Sequence, residues 1–371
     1  MKRLRGQIAR ADGSTAAGSV SFTETIEAVE ATDGLGTSDR GASDYILPGF
    51  IDLQVNGRDA TDVMSASPAE LGELSAALAR EGTTAWLPTA ITAPLALIET
   101  AATAIAEAMT GPADLYGGIL GMHLEGPFIA PARRGAHPEH NLEPRGDALE
   151  RVAALPALRM VTLAPELDGA LEAIAHLGER GIAVSLGHTD ASLEQAEAAV
   201  GAGARMFTHT FNAMAPLNHR KPGAAAAAML PSRAFAAVIA DGIHVHPAML
   251  RLLLLARGAG GICLATDRVA SRAANRTGPL AGATAAAGSA ARMPDGRLAG
   301  SVTSMLEAVR VMVECAGASI GEAALMAATN PARVLRLGNR GRIEAGAISD
   351  LLVLGPRLEL KAVFVGGREL A

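Results

Sequence analysis

Between residue 47 and about residue 338, the sequence alternates short apolar runs with longer amphipathic or alanine-rich stretches. This alternation is typical of repeated strand and helix units around a parallel sheet. Eight runs read as strands, and eight parallel strands are the number that closes a barrel. The runs are residues 50–54, 84–89, 118–123, 160–163, 182–187, 205–208, 236–240 and 261–265. We therefore predict an α/β fold built on a (β/α)8 TIM-like barrel.

One linker carries the local signals that start a helix. Ser67 precedes Pro68, and Glu70 is placed to bond back to the serine, which together form a capping box with proline at the first helical position. Leucines then recur at helical spacing until Gly82, which permits a left-handed exit. The pattern predicts a helix between the first two strands of the barrel.

The two ends of the chain read differently from its middle. They consist of short β-like pieces punctuated by glycine and aspartate, and they could pair with each other. With 371 residues the chain accommodates a barrel of about 250 residues and a smaller companion. We predict a small β-sandwich domain formed by residues 1–46 and 339–371, and a catalytic barrel formed by residues 47–338.

Composition excludes several classes of function. The formal charge is −6, aromatic residues are 3% of the chain and there is no basic run, so we expect no nucleic-acid partner. The apolar stretches are shorter than the roughly 18 residues that a membrane span needs, and the basic start is followed by polar residues rather than by a signal peptide. Cys263 and Cys315 suggest two core thiols in a reduced cytoplasm.

Polar residues stand at the predicted carboxyl ends of six strands, where barrel enzymes place their chemistry. Glu125, His188 and His209 would arrive there from three different strands. One carboxylate and two imidazoles leave a metal position open for water or substrate. The alternative is that each is a satisfied polar residue at a strand end. The convergence of six polar strand ends favours a catalytic metal site.

The first strand argues for one metal rather than two. It carries Gln54 and Asn56 where many metal-dependent hydrolase barrels have a His-x-His pair, and amide oxygens are poor ligands for a borderline-soft metal. No lysine stands at a strand end to become a bridging carbamate. Asp267, after the eighth strand, could serve as general base toward a water activated by the metal, the alternative being a helix cap or a loop salt bridge.

The loop after the sixth strand concentrates amide, imidazole and cationic groups. Arg220 can fork onto phosphate oxygens, and backbone N–H groups near Asn212 and Ala213 could complete a cradle. The alternative is a solvated basic turn. Its position beside His209 favours phosphate binding.

Several motifs together resemble the N-acetylglucosamine-6-phosphate deacetylases of the amidohydrolase superfamily. The resemblance spans nearly the whole chain, and the order and spacing of the motifs are specific. The motifs are LPGFIDLQVNG at 47–57, HLEGPF at 123–128, GHTD at 187–190, THTFNAM at 208–214, ADGIH at 240–244 and ATNP at 328–331.

This resemblance implies a metal-bearing barrel with a β-sandwich from both termini. It implies hydrolysis of the acetamide of N-acetylglucosamine 6-phosphate to glucosamine 6-phosphate and acetate. Glu125, His188 and His209 match the metal ligands, Asp267 the catalytic aspartate, and His137 the histidine that polarises the acetamide carbonyl. The cofactor is expected to be one divalent metal per subunit, zinc first, with iron, manganese or cobalt as alternatives.

The resemblance also implies a substrate site and a homodimer. In this family a phosphate contact can come from the neighbouring subunit, so Arg220 or His244 could act across an interface. Gln54 fits the single-metal branch of the family. The positions that match substrate contacts, including a loop that closes over the substrate, are Ala136, His137, Asn212, Ala213, Arg220, Asp241, His244, Leu298, Ala299 and Gly300.

Two features depart from the family pattern. Arg268 follows the catalytic aspartate where a small or apolar residue is expected, and it could lower the pKa of that carboxylate or contact substrate. Residues 271–292 are rich in alanine and glycine, which predicts a mobile loop. Three other functions stay open: an amidohydrolase for the galactosamine epimer, one for a cyclic amide, and a catalytically silent barrel that binds a ligand.

Overall fold

The structure is a computed structural model, and it describes residues 1–31, 44–111, 118–271 and 290–370. The strands in these ranges are β1 (Lys2–Ala9), β2 (Thr15–Phe22), β3 (Ile26–Ala31), β4 (Tyr45–Pro48), β5 (Phe50–Val55), β6 (Gly57–Arg58), β7 (Thr61–Asp62), β8 (Thr83–Ile91), β9 (Met122–Glu125), β10 (Leu158–Leu163), β11 (Ala183–Leu186), β12 (Met206–Phe207), β13 (Phe235–Val238), β14 (Ile262–Leu264), β15 (Ala291–Arg292), β16 (Leu298–Gly300), β17 (Leu351–Leu354), β18 (Leu360–Val365) and β19 (Arg368–Glu369).

The helices alternate with the strands through the middle of the chain. A π-helical turn, Leu325–Thr329, joins the last two of them. The α-helices in the described ranges are α1 (Pro68–Arg80), α2 (Leu95–Ala108), α3 (Gly146–Ala153), α4 (Ala170–Glu179), α5 (Leu193–Ala202), α6 (Gly223–Met229), α7 (Pro247–Arg257), α8 (Met305–Glu314), α9 (Ile320–Ala324) and α10 (Asn330–Val334). None of the helices in the described ranges is long and apolar enough to cross a membrane.

Eight parallel strands form the barrel, in the order β5-β8-β9-β10-β11-β12-β13-β14. Each overlaps one of the eight apolar runs, although β9 begins at Met122, four residues after the start of its run, so the predicted barrel is confirmed. The strands are almost wholly buried, and their inward-facing side chains, among them Ile51, Leu53 and Leu87, form an apolar cluster inside the barrel. This core fixes the strand ends that carry the polar residues.

The barrel closes through the residues that follow β14. The carbonyl of Arg268 accepts hydrogen bonds from the backbone N–H groups of Asn56 and Gly57 at 2.7 and 3.0 Å. The hydroxyl of Thr266 donates to Asp52 Oδ2 in β5 at 2.6 Å. Asp267 therefore lies within the seam that joins the last strand to the first.

The helix predicted after β5 begins as the capping box requires. Ser67 Oγ accepts from the backbone N–H of Glu70, and the Glu70 carboxylate accepts from the Ser67 backbone N–H at 2.8 Å. The helix ends at Arg80, and Gly82 then adopts a φ of +98°. A side chain is disfavoured in this conformation, which explains the glycine.

The two ends of the chain form one seven-stranded sheet, in the order β19-β18-β17-β4-β1-β2-β3. The N- and C-terminal parts join where β4 pairs antiparallel with β17. The rings of Phe22 on β2 and Phe364 on β18 lie 5.2 Å apart, although four strand spacings of a flat sheet would separate them by about 19 Å. The sheet therefore curls over its own apolar cluster, which gives the terminal part the two packed layers expected of a sandwich.

One expectation about the cysteines was wrong. Cys263 is buried in β14 as predicted, but Cys315 is exposed. The buried face of α8 runs through Val309 and Met312, and the helix ends at Glu314, so its periodicity no longer holds Cys315 inward. Ala316 is buried in its place.

Candidate active site

A cavity of about 150 Å³ opens at the carboxyl ends of the barrel strands. Most of the residues predicted for the site line it, and they come from different strand ends and loops. The predicted residues in its wall are Glu125, Ala136, His137, His188, His209, Asn212, Ala213, His244, Asp267, Leu298, Ala299 and Gly300.

Three of these side chains meet at one point. Glu125 Oε1 lies 3.1 Å from His188 Nε2 and 2.9 Å from His209 Nε2, and the two nitrogens are 3.2 Å apart. Ligands about 2.05 Å from a tetrahedral zinc ion lie about 3.3 Å from one another. The three atoms therefore have nearly the spacing of one face of such a tetrahedron, with the fourth corner directed to the cavity.

Backbone carbonyls set the orientation of both imidazoles. His188 Nδ1 lies 2.9 Å from the carbonyl oxygen of Arg133, and His209 Nδ1 lies 3.2 Å from that of Asn212. A carbonyl only accepts, so each Nδ1 carries a hydrogen, and Nε2 is the nitrogen that offers a lone pair once a cation takes the place of its hydrogen bond to Glu125. This support of metal-binding histidines is common in metalloenzymes.

His137 competes with His209 as the third partner of Glu125 and His188. Its Nε2 lies 3.4 Å from Glu125 Oε2, so Glu125, His137 and His188 also form a possible metal group. The spacing favours His209, because its nitrogen lies 2.9 Å from the same Oε1 that His188 contacts, whereas His137 lies 3.4 Å from the other oxygen of Glu125. His137 Nδ1 lies 2.9 Å from Thr92 Oγ1, which turns Nε2 toward the cavity.

The charges of the cluster are strongly coupled. Burial would raise the pKa of Glu125, but hydrogen bonds from His137 and His188 hold it well below its ordinary value. Burial lowers the pKa of His188 to about 4. Burial also acts to lower the pKa of His209, but the hydrogen bond and charge of Glu125 raise it above the ordinary value. An ionised carboxylate beside an uncharged imidazole suits a cation.

Asp267 is held by two amides from the first strand. Gln54 Nε2 and Asn56 Nδ2 donate to its Oδ1 at 3.1 and 2.8 Å. Both bonds go to one oxygen, so Oδ2 is the oxygen left to exchange a proton. Burial and then the charge of Glu125 raise the pKa of Asp267 to about 8 in the absence of a cation.

Three reactive residues have left-handed backbone conformations. His188, His209 and Asp267 have φ values of 50°, 29° and 48°. Among residues that carry a Cβ, asparagine, aspartate and histidine enter this region most readily, which matches the residue types at these three positions. Each strand turns sharply at these residues, which aims the side chain over the barrel mouth.

His244 and Asp241 form a buried pair at the cavity wall. His244 Nδ1 donates to Asp241 Oδ2 at 2.7 Å, and the same carboxylate accepts from the His244 backbone N–H at 2.8 Å. Burial would raise the pKa of Asp241, but the hydrogen bond from His244 lowers it. His244 Nε2 is buried without a hydrogen-bond partner among the described residues, so it is available to a ligand in the cavity.

Four predicted residues do not line the cavity. Gln54 and Asp241 bond to residues that do, and the other two are Arg220 and Arg268. Arg220 is exposed on the loop after β12, where Asn218 Oδ1 accepts from its backbone N–H at 2.8 Å. Arg268 does not line the cavity, and its guanidinium pairs with Glu81 at 2.5 Å, so this arrangement gives no support to a contact with substrate. Burial raises the pKa of Asp52 to about 6, and the charge of Arg268 opposes that rise only in part. Residues 272–289, within the predicted mobile loop, lie outside the described residues.

Sequence reasoning missed two supporting residues. Asn56 was noticed at a strand end but not assigned to the site, although it follows Gln54 by two positions and therefore shares its side of the strand. Thr92 follows β8, and nothing in its sequence context signals that it bonds to His137.

The chain is similar to known hydrolases over most of its length. Residues 45–370 match the model of the amidohydrolase family. An N-acetylgalactosamine-6-phosphate deacetylase of Escherichia coli O157:H7 is 37% identical over 334 residues, which cover 88% of each chain. An N-acetylglucosamine-6-phosphate deacetylase of Bos taurus is 38% identical over 346 residues, covering 87% of this chain and 82% of the relative.

A solved structure extends the similarity to three dimensions. It contains a mutant N-acetyl-D-glucosamine-6-phosphate deacetylase of Mycobacterium smegmatis in complex with N-acetyl-D-glucosamine-6-phosphate. It matches with a TM-score of 0.87 and 31% identity, covering 99% of this chain and 98% of that chain.

Proposed function

Since the chain belongs to the amidohydrolase family, we propose that its cavity hydrolyses the acetamide of N-acetyl-D-glucosamine 6-phosphate. The products are D-glucosamine 6-phosphate and acetate. The relatives named for this reaction match over nearly the whole chain, and the M. smegmatis structure has that sugar phosphate bound. The reaction belongs to amino-sugar metabolism.

The observation that carries the proposal is the position of Asp267 beside the cluster of Glu125, His188 and His209. A carboxylate with one free oxygen stands next to three ligand atoms spaced for a single cation. This combination suits hydrolysis better than ligand binding alone, because a buried base has no evident use in a silent barrel.

The residues of the cluster fit one divalent metal, zinc by the spacing and donor types, with Glu125, His188 and His209 as its ligands. When bound, such an ion supplies a Lewis acid that polarises oxygen atoms and makes water more acidic. The amides of Gln54 and Asn56 donate to Asp267 in the place where a second cation would need ligand atoms, which favours a single-metal site.

Residues of the chain itself are proposed to transfer the proton, stabilise the developing negative charge and hold the sugar. Asp267 Oδ2 takes a proton from the attacking water and returns it to the leaving amine. His137 Nε2 donates a hydrogen bond to the acetamide oxygen as negative charge develops there. His244 Nε2 and the segment at Asn212 and Ala213 hold the sugar, and the strand Leu298–Gly300 covers it.

The galactosamine epimer is the second candidate substrate. The E. coli O157:H7 relative, named for N-acetylgalactosamine 6-phosphate, is as similar to this chain as the relatives named for the glucosamine compound. The two sugars differ in the orientation of one hydroxyl group. Only contacts to that hydroxyl separate the two reactions.

The active form is proposed to be a cytoplasmic homodimer. On α7 and just before it, three large apolar side chains face solvent: Ile243 is 42% exposed, Leu252 48% and Leu255 73%. A second copy that covered this face would approach His244, which follows Ile243 directly. Light scattering of the purified protein tests this, and Leu255→Glu is expected to give monomers.

Acetate release tests the reaction. The metal content of the purified protein is determined first, and both epimers are then offered with and without the 6-phosphate. Turnover of the glucosamine compound only with its phosphate, lost on chelation and restored by zinc, is the expected result. Turnover of the galactosamine compound alone supports the second candidate, and absence of turnover on all four sugars refutes both.

A substitution at Arg220 tests whether this residue binds the 6-phosphate of the substrate. Arg220→Ala is expected to raise the Michaelis constant for the phosphorylated sugar about tenfold or more, because a bond to a charged group is lost. Lys221→Ala, on the neighbouring residue, is the control for lost charge. An unchanged constant in Arg220→Ala would assign the phosphate to other residues.

A further inference from the structure

A second polar pocket lies at the opposite end of the barrel from the catalytic cavity. It is found at the amino-terminal ends of β10, β11 and β12, next to the end of α10. Arg159, Arg205 and Arg336 line it, and none of its lining residues is acidic. Its volume of about 40 Å³ has room for an ion of a few heavy atoms but not for a sugar.

Two of the arginines use only part of their hydrogen-bonding capacity. Arg159 Nη2 donates to the carbonyl oxygen of Leu335 at 3.1 Å, and Arg205 Nη2 donates to that of Arg333 at 2.8 Å. These bonds satisfy carbonyls at the end of α10, as basic residues often do at helix C-termini. Each guanidinium has five N–H donors, and Arg205 Nε is buried without an acceptor among the described residues.

Arg336 is unexpected at its position. Its φ is +54° and its backbone N–H bonds to the carbonyl of Arg333 at 3.2 Å, which places it just past the end of α10, where glycine is the usual residue. Among the described residues its guanidinium has no hydrogen-bond acceptor and no carboxylate within ion-pair distance. A left-handed backbone thus holds an arginine at the mouth of the pocket that has no side-chain partner among the described residues.

The three positive charges lack compensation within the pocket. Burial and then the charge of Arg336 lower the pKa of Arg205 below its ordinary value. Two guanidinium groups close enough to repel each other are stabilised by an anion between them. The helix-end carbonyls, which would disfavour an anion, already accept bonds from Arg159 and Arg205.

We propose that Arg159, Arg205 and Arg336 bind a phosphate-type oxyanion, either inorganic phosphate or the phosphate group of a monoester. The planar fork of each guanidinium matches two phosphate oxygens, and the open side of the pocket lets the rest of a monoester extend into solvent. The site is separate from the proposed reaction, because its residues lie at the other end of the barrel.

The test is the melting temperature of the zinc-loaded protein in increasing inorganic phosphate at constant ionic strength. Every protein in this titration carries Arg220→Ala, which removes the phosphate contact proposed for the catalytic site, and the protein with this change alone is the reference. The reference protein is expected to melt at rising temperature as phosphate is added. Arg336→Gly is expected to weaken the apparent phosphate affinity tenfold or more, yet to melt no lower than the reference in chloride, since glycine accepts the left-handed conformation.

Arg233→Ala is the matched control. Arg233 is exposed, precedes β13 at the same end of the barrel and does not line the pocket, so it removes one charge without touching the site. Its variant should keep the full phosphate response. An equal response in Arg336→Gly, or none in the reference protein, would overturn the proposal. The titration is then repeated with glucose 6-phosphate. A rise in melting temperature that again depends on Arg336 assigns the site to phosphate monoesters, and a response to inorganic phosphate alone assigns it to free phosphate.

Discussion

The side-chain amide of Gln54 donates a hydrogen bond to Asp267 Oδ1 at 3.1 Å, across the seam that closes the barrel. The same nitrogen lies 2.9 Å from Glu125 Oε1. One amide therefore holds the proposed base beside the proposed metal ligand and favours the ionised form of both carboxylates.

Replacing Gln54 by leucine is expected to raise the pKa of Asp267. A hydrogen bond to a charged group contributes about 1.5–3 kcal/mol, and 1.36 kcal/mol corresponds to about one pKa unit. A base acts only above its pKa, so the acid limb of kcat/KM should move to higher pH by about one unit or more. Asn56→Leu removes the other donor and should shift the limb in the same direction. A limb that stays in place in both variants contradicts the assignment.

Asp267→Asn removes the base while nearly preserving its shape. Turnover is expected to fall about a hundredfold or more, which is the scale of a general acid–base contribution. Metal content and the Michaelis constant should change little, since the three proposed ligands are untouched. Steady-state kinetics and metal analysis check this, and near-normal turnover would exclude the role.

Zinc binding to the metal-free protein is expected to release protons at pH 7. Burial and then the charge of Glu125 raise the pKa of Asp267 to about 8, so this carboxyl is largely protonated at pH 7. A cation nearby lowers that pKa, and the proton leaves. Calorimetry in buffers of different ionisation enthalpy counts the protons. Asp267→Asn should release up to about one fewer per zinc at pH 7, and the difference should vanish near pH 9, where Asp267 is already ionised.

Asp241→Asn tests how the buried pair serves the substrate. The carboxylate fixes the hydrogen on His244 Nδ1, so its loss should misorient Nε2 and raise the Michaelis constant about tenfold. Turnover should fall less, because the pair contacts neither Asp267 nor the proposed metal ligands. Asp168→Asn, which alters an exposed ion pair with Arg145, is the control. A fall in turnover alone would place the pair in the chemical step.

The barrel could be predicted because its strands are short, apolar and regularly spaced. A strand buried on both faces is mostly apolar, and the polar residues that signal the site fall near the rim, although Asp52, His123, Thr162 and Ser185 are buried within strands. The local sequence around Glu125, His188 and His209 therefore predicts that all three lie at the carboxyl ends of barrel strands. They converge because a closed barrel brings the ends of its strands together at one rim.

Other features depended on side-chain direction, which local sequence does not encode. Arg268 follows Asp267, but the left-handed turn at Asp267 separates the directions of the two side chains, and the guanidinium of Arg268 pairs with Glu81. Thr92 and His137 are 45 residues apart, and only the tertiary fold brings them into hydrogen-bond contact. Cys315 was assigned to the core by composition, although the helix ends one residue before it.

The closure of the barrel has a consequence for how the protein loses activity. Thr266 and Arg268 supply the bonds that join the last strand to β5, and Asp267 stands between them. If this seam opens locally before the other strands separate, the base leaves the cluster while most of the fold persists. Catalysis would then disappear at a lower denaturant concentration than the circular-dichroism signal of the helices. Enzymatic turnover would therefore report whether the contact between β14 and β5 is intact.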